Sequence, residues 1–160
     1  MSLFNRFSEE SLDPTDHDPD DEILASLVRM YARYREDLRS VEGSELVDFA
    51  LLQQRAYDYF RESGAAGSVF RHIIIDEYQD TNAVQEKIFF TLAEGHRNIC
   101  VVGDDDQSLY RFRGATVENL VQFDERSAAF LGMKPRRIDL SVNYRSRKKI
   151  VDFYNDFITR

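Results

Sequence analysis

The ten residues from His72 to Thr81, His-Ile-Ile-Ile-Asp-Glu-Tyr-Gln-Asp-Thr, constrain this chain more than any other stretch. Ile73, Ile74 and Ile75 are β-branched and apolar with no polar alternation, which predicts a strand covered on both faces, as in a parallel sheet. Asp76 and Glu77 follow at once. In an open α/β sheet the carboxyl ends of the strands border the ligand crevice, so both carboxylates are expected at the mouth of a site. Such a pair suits a magnesium nucleotide. Mg²⁺ keeps several of its waters and takes one or two protein carboxylates, so Asp76 can anchor the ion while Glu77 orients or deprotonates an attacking water.

The chain of 160 residues fits one domain, and 42% hydrophobic with 31% charged residues describes a water-soluble, core-forming composition. The net charge of -8 argues against a nucleic-acid coat protein, but the charge is sorted along the chain. Residues 1–22 carry eight acids and one base, Arg6, whereas 134–149 carry seven bases and one acid, Asp139. A local basic groove therefore remains open to the chain, because salt confines each field to about 10 Å. The single cysteine, Cys100, excludes an internal disulfide and any multi-cysteine metal site, and its apolar setting predicts a buried position. No apolar run reaches the ~20 residues needed to span a bilayer and the acidic start is no signal peptide, so a cytoplasmic protein without membrane contact is expected.

Residues 1–18 read as an acidic tail. Asp18, Pro19 and the acids Asp20, Asp21 and Glu22 form a helix start, and Ile23, Leu27, Met30, Tyr31, Tyr34 and Leu38 place one apolar stripe on the helix through about Arg39. A second amphipathic helix runs from Leu46 to about Glu62 with Asp48 as N-cap, and 63–67 read as a flexible connector. After Thr81, Asn82 and Gln85 make a capping box for a helix carrying Ile88, Phe89, Leu92 and Ala93, which Gly95 ends. A strand from Asn98 to Val102 then delivers Gly103 to Gln107 to the same sheet edge, completing a right-handed parallel β-α-β unit. Thr116 caps a short helix through Phe123, 124–135 read as an irregular linker, Ile138 to Leu140 as a short strand, and Ile150 to Ile158 as the last helix.

Two further runs carry chemistry. Gly103 to Ala115 reads Gly-Asp-Asp-Asp-Gln-Ser-Leu-Tyr-Arg-Phe-Arg-Gly-Ala. Its acids lack the alternate spacing, central glycine and closing glutamate of a calcium loop. Gln107 has the donor and acceptor to sense a terminal phosphate and a water, and Phe112 between Arg111 and Arg113 offers a stacking face and guanidinium groups for single-stranded nucleic acid. Tyr110 and Phe112 are equally explained as core aromatics. The run Ser141 to Ser146 holds Tyr144, which can stack on a base, and Arg145, which can take a phosphate bidentately.

In this order the three runs resemble motifs II, III and IV of the UvrD/Rep family of superfamily 1 helicases: D-E-[FY]-Q-D-T, G-D-x-x-Q-S-[IL]-Y-x-[FW]-R-G-A and L-x-x-N-Y-R-S. Leu46 to Leu52 is similar to the family's L-[VI]-D-F-x-x-L-L segment, where an accessory subdomain rejoins the motor, and a DNA-proximal Asp48 rests on that resemblance alone. The resemblance, over about 44–160, implies an α/β fold: part of a RecA-like P-loop NTPase domain with a parallel sheet, preceded by helices from the end of an inserted accessory subdomain. Its expected organisation is an acidic tail 1–18, a helical segment 19–66 and the C-terminal half of the first motor domain, 67–160. It implies an ATP-dependent DNA helicase using ATP and Mg²⁺ and moving 3′ to 5′ on single-stranded DNA. Asp76 would hold the metal and Glu77 would act on the water; Gln107 and Arg145 would read the γ-phosphate, Tyr144 the adenine, and Tyr110, Phe112 and Arg113 the DNA.

The chain contains no Gly-Lys dipeptide, hence no Walker A loop, and lacks the Q motif and motifs Ia, V and VI. The expected reading is part of a longer helicase, inactive alone, whose partners are DNA, ATP and the remainder of the motor. Without the central P-loop strand, the motif II strand would expose an open edge that favours self-association. Two other readings compete: a non-catalytic single-stranded DNA module retaining Phe112 and Arg113, and a metal-dependent nuclease built on Asp76, Glu77 and Asp80, against which stands the absence of an E-x-K element.

Overall fold

A computed structural model of the chain describes residues 3–10, 12–16, 20–39, 46–108 and 117–158. Within them the fold is a helix-rich α/β arrangement around a two-stranded parallel sheet. In chain order the elements are α1 (Leu3–Glu9), α2 (Glu22–Arg39), α3 (Phe49–Ser63), α4 (Ala66–Val69), β1 (Ile73–Ile75), α5 (Ala83–Ala93), β2 (Ile99–Val101), α6 (Glu118–Val121), α7 (Phe123–Leu131) and α8 (Lys148–Ile158). Short 3-10 turns at Tyr78–Asp80 and Asp105–Gln107 follow the two strands.

Three of the helices, α2, α3 and α5, begin where side chains satisfy their first amides. The Asp48 carboxylate accepts from Leu51 N at 2.7 Å, and Asn82 and Gln85 form the reciprocal capping box of α5. For α2 the cap is Asp21, whose carboxylate accepts from Leu24 N at 2.9 Å. Asp18 and Pro19, the expected start, lie outside the described residues. On α2, Tyr31 and Val28 are buried, whereas Ile23 and Met30 of the expected stripe are exposed.

One core lies over a single face of the sheet. Ile73, Ile75, Ile99 and Val101 pack against Tyr78, Phe90, Ala93, Phe123 and Leu131. Phe90 stacks on Phe123 and Phe130, and Tyr78 meets Phe123 edge-on at 5.3 Å between ring centroids. The other face corrects the expectation of a strand covered on both sides: Ile74 is 75% exposed, and Cys100, paired with it in register, is exposed rather than buried. Side chains alternate across a strand, so whatever covers one face leaves the other to a separate layer. Among the described residues no element forms that layer against Ile74 and Cys100.

Further differences have local causes. The expected polar tail contains α1, which packs on α3 and sets Phe4 and Phe7 against Tyr31, with the Ser8 hydroxyl 2.7 Å from the Tyr31 hydroxyl. The connector at 63–67 is packed rather than loose. Gly64 ends α3 in the left-handed conformation, and Gly67 lies so close to Gly95 that a Cβ on it would sit 2.6 Å from the Gly95 nitrogen. The expected linker 124–135 is largely α7, because Phe123, Ser127 and Leu131 recur every four residues on one buried face before Gly132 ends the helix. Ile138 to Leu140 form no strand: Ile138 and Leu140 are exposed, and among the described residues no neighbour supplies ladder hydrogen bonds.

Candidate nucleotide edge

The parallel register pairs Ile73 with Ile99 and Ile75 with Val101, so both strands end at the same edge. The ladder continues briefly: Val102 N donates to Ile75 O at 2.8 Å, and Tyr78 N to Val102 O at 2.9 Å. Asp76 and Glu77 therefore emerge beside Gly103 and Asp104, both acids exposed. The Asp76 carboxylate accepts from Glu77 N at 2.9 Å. Glu77 itself has φ 51°, the left-handed region, which costs a residue with a Cβ about 1–2 kcal/mol and survives only where the surroundings hold it.

Gln79 holds it. This side chain is 1% exposed and uses both ends of its amide: Nε2 donates to Glu77 Oε2 at 2.7 Å, and Oε1 accepts from Asp104 N at 3.1 Å. Asp104 in turn accepts from Gln107 Nε2 at 2.7 Å through Oδ2 and from Asp106 N at 3.1 Å through Oδ1. Glu77 and Gln107, singled out separately from sequence, are thus joined by a continuous run of hydrogen bonds through Gln79 and Asp104. Gly103 leaves room for it, since a Cβ there would lie 2.7 Å from Gln79 Oε1.

Beneath the edge the Tyr78 hydroxyl donates to Glu86 Oε1 at 3.1 Å, and the fully buried Glu86 carboxylate takes the Arg126 guanidinium, whose Nε lies 2.7 Å from both oxygens. Burial and the Glu86 charge push the Tyr78 phenol up, and the hydrogen bond from Arg126 to Glu86 raises the guanidinium's pKa. Sequence reasoning passed over Gln79, Glu86 and Arg126. For Gln79 a signal existed: an amide two residues past the acid pair, with a glycine at the end of the next strand.

The remaining candidates stand apart. Tyr144 is 92% exposed and Arg145 is exposed, and the Asn143 carboxamide caps their turn by accepting from Arg145 N and Ser146 N. No described hydrogen bond or ion pair ties either side chain to the acid edge. The Arg137 guanidinium pairs with Asp139 at 2.8 Å, which raises its pKa, with smaller contributions from Asp105 and Asp124. Tyr110, Phe112, Arg113 and Thr116 lie outside the described residues. Among the described residues no three His, Cys, Asp or Glu side chains are placed to share a metal ion. Asp76 is an exposed carboxylate at a strand end, a donor that fits a Mg²⁺ retaining most of its waters. A cavity of about 90 Å³ near Arg35, Arg39, Arg55 and Asp58 lies between α2 and α3, with no residue of the acid edge in its lining. No helix among the described residues is long and apolar enough to cross a membrane.

Comparison with known proteins identifies the family. Residues 1–128 match the model of the UvrD/REP helicase N-terminal domain. DNA helicase II of Haemophilus influenzae is 35% identical over 159 residues, 96% of this chain and 21% of the relative. ATP-dependent DNA helicase PcrA of Bacillus subtilis is 35% identical over 130 residues, 81% of this chain and 17% of the relative. ATP-dependent DNA helicase UvrD1 of Mycobacterium bovis is 33% identical over 154 residues, 88% of this chain and 18% of the relative. The chain thus spans about a fifth of the length of these relatives, and it belongs to the UvrD/Rep helicase family, within the N-terminal domain.

Proposed function

We propose that the chain is the metal-and-γ-phosphate edge of an ATP-dependent DNA helicase motor, the rear half of a RecA-like first motor domain (67–160) with the returning end of an inserted subdomain (19–66). Asp76 holds Mg²⁺, and Glu77 orients and deprotonates the attacking water. Gln107 and Arg145 read the γ-phosphate, and Tyr144 stacks on the adenine. Mg²⁺ would screen charge between the β- and γ-phosphates, while the chain's own carboxylate and amide groups position the water and the transferred group. Tyr110, Phe112 and Arg113 contact single-stranded DNA, so that a shift at Gln107 reaches the DNA five residues on, with 3′ to 5′ movement in the cytoplasm. The observation that carries this reading is the hydrogen-bonded run from Glu77 through Gln79 and Asp104 to Gln107 on one sheet edge.

The phosphate cradle would come from residues outside these 160, and the reading predicts a Gly-rich loop ending in Gly-Lys-Ser or Gly-Lys-Thr in the sequence on either side. The chain alone is expected to show negligible ATPase activity with or without single-stranded DNA; DNA-stimulated hydrolysis by these residues would contradict the division of labour. DNA cleavage with Mg²⁺ and no nucleotide would instead favour a nuclease. Binding of single strands by the longer protein with no nucleotide turnover would favour a non-catalytic module.

A further inference from the structure

Gln79 has no part in the chemistry just described, yet its side chain bonds to both halves of the edge. It is buried to 1% exposure, and its two amide ends are spent on opposite partners, the Glu77 carboxylate and the Asp104 amide. A buried glutamine is costly unless both ends are satisfied, and one that satisfies them on two separate loops makes those loops one rigid unit. Its backbone belongs to the 3-10 turn that follows β1, whereas Asp104 follows β2 and passes the connection to Gln107 through its own carboxylate. Glycine at 103 is the complementary device, because a Cβ there would enter the space of the Gln79 oxygen at 2.7 Å and of Leu120 Cδ2 at 3.0 Å.

We infer that Gln79 is a positioning residue that locks Glu77 in its left-handed conformation and couples it to Gln107, so that the acid addressing the water and the amide addressing the γ-phosphate move as one. The inference rests on the proposed roles of Glu77 and Gln107, but the bridge itself can be tested without nucleotide. The first arm is amide hydrogen exchange by NMR on the 160-residue chain. In the unsubstituted protein the Asp104 amide and the Gln79 side-chain amide exchange slowly; fast exchange at both would overturn the bridge with no variant needed. Gln79→Met keeps the volume and removes both hydrogen bonds, so Asp104 exchange should rise about tenfold or more while melting stays cooperative. Gln79→Glu keeps an acceptor for Asp104 and sets a carboxylate against Glu77, so Asp104 protection should persist while the Glu77 resonances move. Gly103→Ala attacks the bridge from the other side and should also shift the Glu77 resonances.

The second arm titrates Mg²⁺ alone. In the unsubstituted chain it should move the resonances of Asp76, Glu77 and the Gln107 side-chain amide together, and in Gln79→Met only the first two, a loss of coupling that mere packing would not produce. If Mg²⁺ moves none of them, the metal role of Asp76 fails while the exchange arm still decides the bridge. If Gln79→Met leaves Asp104 exchange and the Gln107 response unchanged, Gln79 is not a positioning residue.

Discussion

The stretches on either side of Gly132 share a pattern and end in different states. From Ile73 to Leu131, β-branched strand residues are followed by helices, and the apolar side chains meet: Tyr78, Phe90 and Phe123 lie in the core, and Gln79 ties Glu77 to Asp104 at the acid edge. From Lys134 to Ile158 the pattern is as regular, with Ile138, Leu140, Val142 and Tyr144 at alternate positions before the amphipathic α8. Yet all four are exposed, as are Ile150, Phe153 and Phe157. Period-two alternation fits a strand face, but a strand exists only where a neighbour completes its ladder. The first stretch had β2 beside β1 and α5 and α7 above them; the second has no such cover among the described residues. The edge from Asp76 to Gln107 is therefore held by contacts among the described residues, whereas Tyr144 and Arg145 sit on an exposed segment.

The largest contrast should come from the aromatic core and the buried ion pair beneath it. Arg126→Ala leaves the Glu86 carboxylate buried without its partner and should cost about 3 kcal/mol, the lower end of the usual 3–5 because Arg126 is partly exposed. Phe123→Ala removes a buried ring and should cost about 3–5 kcal/mol, whereas Phe153→Ala in α8 should stay within about 0.5 kcal/mol. Urea unfolding midpoints of the three variants would break the comparison if Phe153→Ala proved as damaging as Phe123→Ala.

That contrast also separates what could be read in the sequence from what could not. The Asp48 cap, the Asn82 and Gln85 capping box and the existence of β1 and β2 depend on residues within a few positions of each other, and they are found as expected. The exposure of Ile74 and Cys100 was not legible, because burial of a strand's second face depends on a layer that no local pattern encodes. Helices α1 and α7 were obscured by charged composition, although Phe123, Ser127 and Leu131 had the right spacing. Glu77 and Gln107 could each be singled out in the sequence as candidates, but their connection could not: it runs through a glutamine and a backbone amide 25 positions apart.

A smaller effect concerns the first helix. Burial raises the Glu9 carboxyl from 4.5 to about 7, reinforced by Glu10 and Asp48 and opposed by Arg6. A carboxyl whose folded pKa exceeds its unfolded value binds more protons in the folded state. The packing of α1 should therefore be firmest below about pH 4.5 and weaken as pH rises toward 7, by about 1–3 kcal/mol. Comparing unfolding at pH 5 and pH 8 in the unsubstituted chain and in Glu9→Gln checks this; the variant should lose that part of the slope. Acid loss of other carboxylate pairs acts in the opposite direction, so the difference between the two proteins is the quantity to read. At a similar or smaller scale, Gly67→Ala should cost about 1–3 kcal/mol through its collision with the Gly95 backbone, while Gly132→Ala meets no atom within 4 Å and suffers only from its left-handed backbone.

The central claim is that the acid pair and the glutamine loop form one nucleotide edge completed by a phosphate loop elsewhere in a longer protein. Its most direct test is ATP turnover by Glu77→Gln in a protein that carries both this segment and that loop. The account predicts nucleotide binding close to that of the unsubstituted protein and turnover reduced by at least about 100-fold. Undiminished hydrolysis would contradict it.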